Sequence, residues 1–169
     1  MSNYNEAFEK VVGHEGGFTA NPKDRGNWTS GKIGVGELKG TKYGISAMAY
    51  PHLDIRNLTL DQARAIYKRD YWDRIKGDQL TAPVAFNVFD GAVNSGVLRS
   101  ILWLQEAVGV TADSILGPKT LAAVKARTDA EVIARYNSRR LLFLTSMNNT
   151  AWSEFGRGLA ARVARNLSV

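Results

Sequence analysis

The stretch VVGHEGGFTANPKDRG, residues 11–26, begins inside an apolar helical pattern and breaks into a glycine-marked loop. Just upstream, Phe8, Val11, Val12 and Glu15 fall at i, i+3, i+4 and i+7, a spacing that puts all four on one helical face. The pattern predicts a first helix over residues 4–15, stopped at Gly16 and Gly17 because glycine readily takes the left-handed conformation of a helix end. Glu15 is then expected on the core-facing side of the last turn. A second carboxylate, Asp24, follows in the polar loop NPKDRG.

Working outward, the segment to about residue 45 is rich in glycine, and GKIGVGELKGTKYGIS (31–46) shows the short alternations of a twisted hairpin. Beyond Tyr50-Pro51 the periodicity turns helical. Thr59 and Gln62 stand in capping-box positions ahead of a stripe of Ala63, Ile66, Tyr67 and Tyr71. Pro83 suits the start of a helix that turns Val84, Val88 and Phe89 inward. Asn94-Ser95-Gly96 breaks the pattern, Gly109 ends the next helix, and Asp129 is the expected N-cap of a long one. The closing GRGLAARVARNLSV (156–169) is basic and amphipathic, expected to pack its apolar face on the body. The fold class expected is α+β, mostly α, with a small β hairpin near the N-terminus.

Composition limits the chemistry. A chain of 169 residues with 44% apolar content can bury a core, and its longest apolar runs, about four residues, are far short of the roughly 20 needed to span a bilayer. MSNYNEAFEK is polar and reads as no secretory leader. The absence of cysteine removes disulfides and thiol nucleophiles, and only His14 and His52 could serve a histidine-based centre. No metal or cofactor is expected, and acid–base work falls to carboxylates. The net charge of +6 favours an anionic partner, but no recognition-helix or base-stacking signature points to nucleic acid.

Glycosidic hydrolysis needs a proton donor for the leaving oxygen and usually a second carboxylate for water or for the cationic transition state. A Glu15 on a buried helix face, near the negative end of the helix dipole, would have its pKa raised. Asp24 in an open loop would stay ionised, and such contrasting environments separate an acid from a base. The same residues also read as an exposed helix-end glutamate and a turn aspartate. Asn87, Asp90 and Asn94, at i, i+3 and i+7, read either as the polar lining of a saccharide groove or as a solvated stripe. Trp28, Tyr43 and Trp72 could stack on sugar rings, although Trp72 suits a core position better. Glu37 reads as an exposed residue of the hairpin arm.

The run EGGFTANPKDRG, with TKYGIS and FDGAVNSG after it, resembles the signature of the glycoside hydrolase family 108 muramidases, found as phage endolysins and secretion-associated cell-wall hydrolases. Glu15, Gly16, Gly17, Phe18, Pro22, Asp24 and Gly26 match the family's opening in order, Thr41 to Ile45 match its T-x-x-G-I, and Phe89, Asp90, Asn94 and Gly96 match its F-D-x-x-x-N-x-G. Leu104, Gln105, Gly109, Asp113, Gly117 and Thr120 resemble a peptidoglycan-binding element, with Ser114 where a glycine is usual. The resemblance covers about residues 5–165. It implies a lysozyme-like body with a muramidase region at 1–95 and a peptidoglycan-binding region at 96–169 packed into the same globule.

The resemblance further implies cleavage of the β-1,4 bond between N-acetylmuramic acid and N-acetylglucosamine. Glu15 would be the general acid, Asp24 and Thr41 would orient water, and Tyr43, Asp90 and Asn94 would contact substrate. Thr29 and Ser30 are rivals to Thr41, because NWTSGKIGVGELK looks like an insertion after Asp24. A lytic transglycosylase and a non-catalytic wall-binding protein are the alternatives. As an endolysin-type enzyme it would be a monomer made in the bacterial cytoplasm, not inserted in the membrane. It would reach peptidoglycan in the periplasm through a holin or a dedicated secretion route.

Overall fold

A computed structural model describes residues 3–13, 17–147, 150 and 152–167, with the side chains of 154 and 155 left out. The fold is mostly helical with a small antiparallel hairpin. Two compact units divide the chain, one of residues 8–69 and one of 1–7 with 70–169. This division lies near residue 70, within what the sequence reads as a region running to 95.

Helix α1 (Asn3–Val11) ends sooner than the apolar spacing predicts. Gly13 takes φ +65°, and its amide reaches back to the Phe8 carbonyl at 3.5 Å. The left-handed residue that stops the helix is therefore Gly13, before the Gly16-Gly17 pair. The regular helix therefore does not run on through Gly13. His14, Glu15 and Gly16 lie outside the described residues.

In the unit of residues 8–69, strands β1 (Thr41–Lys42) and β2 (Ile45–Ser46) pair antiparallel, Thr41 opposite Ser46 and Lys42 opposite Ile45. Tyr43 and Gly44 form the turn at φ +51° and +74°, the two positive values of a tight hairpin that matches strand twist. A side chain at Gly44 would stand 2.4 Å from the Tyr67 hydroxyl. The arm ahead of the hairpin is less regular than its alternation suggests, meeting only in isolated bridges, Thr19 to Thr41 and Trp28 to Leu38. Its tip is exposed at Ile33 and Val35. Helix α2 (Leu60–Tyr67) carries the expected capping box, with Thr59 Oγ1 accepting from the Gln62 amide and Gln62 Oε1 from the Thr59 amide. It buries Ala63, Ile66 and Tyr67 over a core that includes Phe8, Ile45, Ile55 and Leu58.

A π turn at Lys68–Trp72 then widens the helix. The extra residue shifts the stripe, so the fully buried residue is Trp72, and Tyr71 is half-buried. In the unit of 1–7 with 70–169, Trp72 packs on Tyr4 and Phe89 at 5.3 and 5.6 Å between ring centres, and its indole N–H donates to Asp78. Helices α3 (Ala82–Ser95), α4 (Val97–Val108), α5 (Pro118–Lys125), α6 (Asp129–Thr145) and α7 (Arg157–Asn166) build the rest. Gly109 closes α4 at φ +72° as expected. The N-cap of α6 is Thr128, one residue before the expected Asp129, and Asp129 accepts a hydrogen bond from Thr81 instead. No helix among the described residues is long and apolar enough to cross a membrane.

Helices α3, α4 and α6 meet at Gly91. The buried Tyr136 hydroxyl shares a hydrogen bond with Ser100 at 2.8 Å, and Ser100 donates to the Val88 carbonyl. Burial pushes the Tyr136 hydroxyl pKa up. A Cβ on Gly91 would fall 1.9 Å from that hydroxyl oxygen, so these helices approach closely only because residue 91 has no side chain. Gly91→Ala is expected to cost about 2–3 kcal/mol by overpacking, read from urea unfolding. Adding Tyr136→Phe, which removes the clashing atom, should recover part of the loss, whereas an additive double variant would contradict the packing account.

Candidate functional site

The loop that carries Asp24 is ordered by short-range bonds. Asn21 accepts the Lys23 amide on its side chain and the Asp24 amide on its carbonyl, at 3.0 and 3.1 Å. Asp24 then caps the 3-10 turn Arg25–Asn27, its Oδ1 accepting the Gly26 amide at 2.8 Å. The carboxylate is exposed, and Oδ2 has no protein partner among the described residues. Asp24 is thus both a turn residue and an accessible carboxylate.

Asn27, fully buried, links this loop to the hairpin. Its Nδ2 donates to the Asn21 carbonyl at 3.0 Å, its Oδ1 accepts the Thr41 hydroxyl at 2.7 Å, and its own carbonyl receives the amides of Lys39 and Gly40. Every polar group of the side chain is used, as a buried amide requires. Because the Thr41 hydroxyl spends its proton on Asn27, its remaining lone pairs can only accept.

The two rival hydroxyls are engaged within the arm. Thr29 Oγ1 accepts the Glu37 amide at 3.0 Å, and Ser30 Oγ donates to the Val35 carbonyl at 2.7 Å while accepting the Lys32 amide. Glu37 is exposed, 3.3 Å from Lys39 Nζ. Tyr43 is half-buried at the hairpin turn, its carbonyl taking the Tyr67 hydroxyl and its ring lying 5.4 Å from Lys42 Nζ. In the same unit a cavity of about 400 Å³ is lined by Phe18, Lys39, His52, Asp54 and Arg56, among others. Arg56 covers the Phe18 ring at 4.4 Å. Hydrogen bonds from the Asn57 side chain and amide hold the Asp54 carboxyl below its ordinary pKa.

In the helical unit, Asp90 and Asn87 occupy other surroundings than a saccharide groove. Asp90 is 1% exposed, with Arg140 and Asn166 donating to Oδ2 at 2.8 Å each and Arg162 and Asn94 donating to Oδ1. Asn87 accepts from Asn137, and Asn137 from Arg140. These polar residues of α3 cross-link α3, α6 and α7 inside the unit, a role neither spacing nor resemblance suggests. Asn94 is half-buried, bonded to the Asp90 carbonyl at 2.7 Å, and lines a cavity of about 630 Å³.

The element at 104–120 is likewise held by a buried amide. Gln105 donates to Asp113 at 2.7 Å and to the Ile115 carbonyl at 3.1 Å, and its oxygen accepts the amides of Asp113 and Ser114. Those bonds, the Gln105 side chain first and the Ile115 amide next, hold the Asp113 carboxyl below its ordinary range. Ser114 takes φ +64°, the left-handed conformation that a glycine adopts most readily. The motif residues here set a loop. Trp72, in the core, is no sugar platform.

Comparison with known proteins agrees along the chain. Residues 8–96 match the family described as Glycosyl hydrolase 108, and residues 99–162 match one described as Predicted Peptidoglycan domain. A solved structure of SagA from Brucella abortus is similar over 98% of this chain and 91% of its own, at 32% identity and a TM-score of 0.79. No curated protein matches.

If Asp90 is the internal counter-ion, Asp90→Ala leaves two guanidiniums facing each other and should cost about 3–5 kcal/mol of folding stability, measured by urea unfolding. Unchanged stability together with weaker binding to peptidoglycan would contradict this and return Asp90 to a ligand-contact role.

Proposed function

The chain belongs to the glycosyl hydrolase 108 family, and from that premise we propose that it is an N-acetylmuramidase. As a glycosyl hydrolase carrying a peptidoglycan domain it is a peptidoglycan hydrolase. The finer reading assigns the β-1,4 bond between N-acetylmuramic acid and N-acetylglucosamine. Glu15 protonates the leaving oxygen, Asp24 draws a proton from water, and Thr41 positions that water. Tyr43 flanks the same hairpin turn as a substrate contact. A hydrolase of this kind meets the wall in the periplasm, as endolysins and secretion-linked enzymes do.

The observation that carries the reading is the Asn27 bridge. It ties the Asp24 loop to the Thr41 strand and directs the Thr41 hydroxyl as an acceptor, the orientation that can accept a hydrogen bond from the water whose other proton passes to the aspartate. One carboxylate oxygen without a protein partner among the described residues supports the same role for Asp24. A lytic transglycosylase needs only one acid and no water, so an acceptor hydroxyl on the strand that Asn27 ties to the Asp24 loop favours hydrolysis.

The products decide between the two. Mass spectrometry of digested sacculi should show muramic acid with free reducing ends; 1,6-anhydro ends would identify the transglycosylase. Thr41→Val, which strands the buried Asn27 oxygen, should lower turnover at least about tenfold and cost about 1–2 kcal/mol of stability. Thr41→Ser should keep most of both. Wild-type turnover by a folded Thr41→Val protein would remove Thr41 from the mechanism.

A further inference from the structure

The larger cavity belongs to the helical unit and is strongly cationic. Its lining includes Asn94, Arg99, Phe143, Leu159, Arg162 and Arg165, a volume of about 630 Å³ within the range of small-ligand pockets. Beneath it, the single carboxylate of Asp90 is shared by Arg140 and Arg162. Arg99 and Arg165 have no acidic partner among the described residues, and Arg99 is held by stacking on Phe143 at 4.2 Å. Counted over the described residues, these four arginines and one aspartate carry a formal charge of +3. Guanidiniums clustered in this way suit carboxylate or phosphate.

The apolar part of the lining narrows the choice. Phe143, Met147 and Leu159 lie among the arginines, a surface that a bare phosphate leaves unused and that aliphatic side chains would cover. In peptidoglycan the glycan is uncharged where its lactyl carboxyl is joined to peptide, and negative charge resides on the peptide stems. We propose that this cavity binds the carboxylate-bearing peptide stem of peptidoglycan, with Arg99 and Arg165 pairing its carboxylates and Phe143 and Leu159 packing its alkyl groups. The proposal rests on the reading of this chain as a peptidoglycan hydrolase and adds a second hold on the polymer, independent of the sugar-cleaving residues. Asp90 acts as a positioning residue by fixing Arg162 at the cavity wall.

The test uses the free stem tetrapeptide, L-alanyl-D-glutamyl-meso-diaminopimelyl-D-alanine, which has no glycosidic bond and so cannot be turned over. Calorimetric titration into the full-length protein should give saturable binding that weakens with salt. Arg99→Ala and Arg165→Ala should each raise Kd about fivefold to tenfold, the size of one partly exposed charge-assisted contact. Gly158 lines the cavity, and a Cβ there meets nothing within 4 Å. Gly158→Leu should therefore block the site without disturbing the fold, while Arg157→Ala, a loss of equal charge on the same helix, should leave Kd unchanged.

No saturable binding, or equal binding by all variants, overturns the proposal. So does equally tight binding of inorganic phosphate or of phosphatidylglycerol vesicles, which would make this a general anion or lipid site. Cleavage of stem-free glycan strands by the wild-type protein reads the enzymatic proposal separately. Strands cleaved without tetrapeptide binding contradict only the stem site, and strands left whole contradict the muramidase.

Discussion

In the helical unit, one buried carboxylate organises three helices. Asp90 sits on α3 and takes donors from Arg140 on α6, from Arg162 and Asn166 on α7, and from its neighbour Asn94. Taking a carboxylate out of water costs several kcal/mol unless charge and hydrogen bonds replace the hydration. Both oxygens are served here, so α7 is fastened at a defined position by polar bonds as well as by its short apolar stripe at Val163. That fastening places Arg162 at the wall of the cationic cavity, and the same contact that orders the fold shapes the surface offered to a ligand.

Asn27 does comparable work in the hairpin unit. A fully buried side-chain amide satisfied by Asn21 and Thr41, with its backbone carbonyl taking the Lys39 and Gly40 amides, fixes a loop of little regular structure against a two-residue ladder. Together with Gln105, which holds the loop at 109–117, it shows how this chain orders its irregular segments. One interior amide supplies the hydrogen bonds that a strand or helix would otherwise provide.

Much of this was legible in the sequence wherever a local rule governs. The capping box at Thr59 and Gln62, the helix stop at Gly109 and the mostly helical architecture follow from spacing and glycine chemistry alone. The departures come from local choices that periodicity does not make and from distant partners that it does not see. A glycine at 13 stops α1 before the pair at 16 and 17, because apolar periodicity does not say which of several glycines takes the left-handed turn. The π turn at 68–72 shifts one residue without changing composition. Asp90 and Asn87 read as a polar stripe for a groove because periodicity cannot tell solvent from a buried partner fifty or more residues away. Asn27 carries no signal of its own; only the 2.7 Å bond from Thr41 shows that it matters.

The central claim is that a single acid, Glu15, works against a water held by the Asp24 loop and the Thr41 strand. The most direct measurement is release of reducing ends from purified sacculi by the Glu15→Gln protein, compared with wild type at equal folded concentration. The account predicts a loss of about 100-fold to 10,000-fold, the usual size of general-acid catalysis, with binding to sacculi retained. Turnover within a few fold of wild type would contradict it.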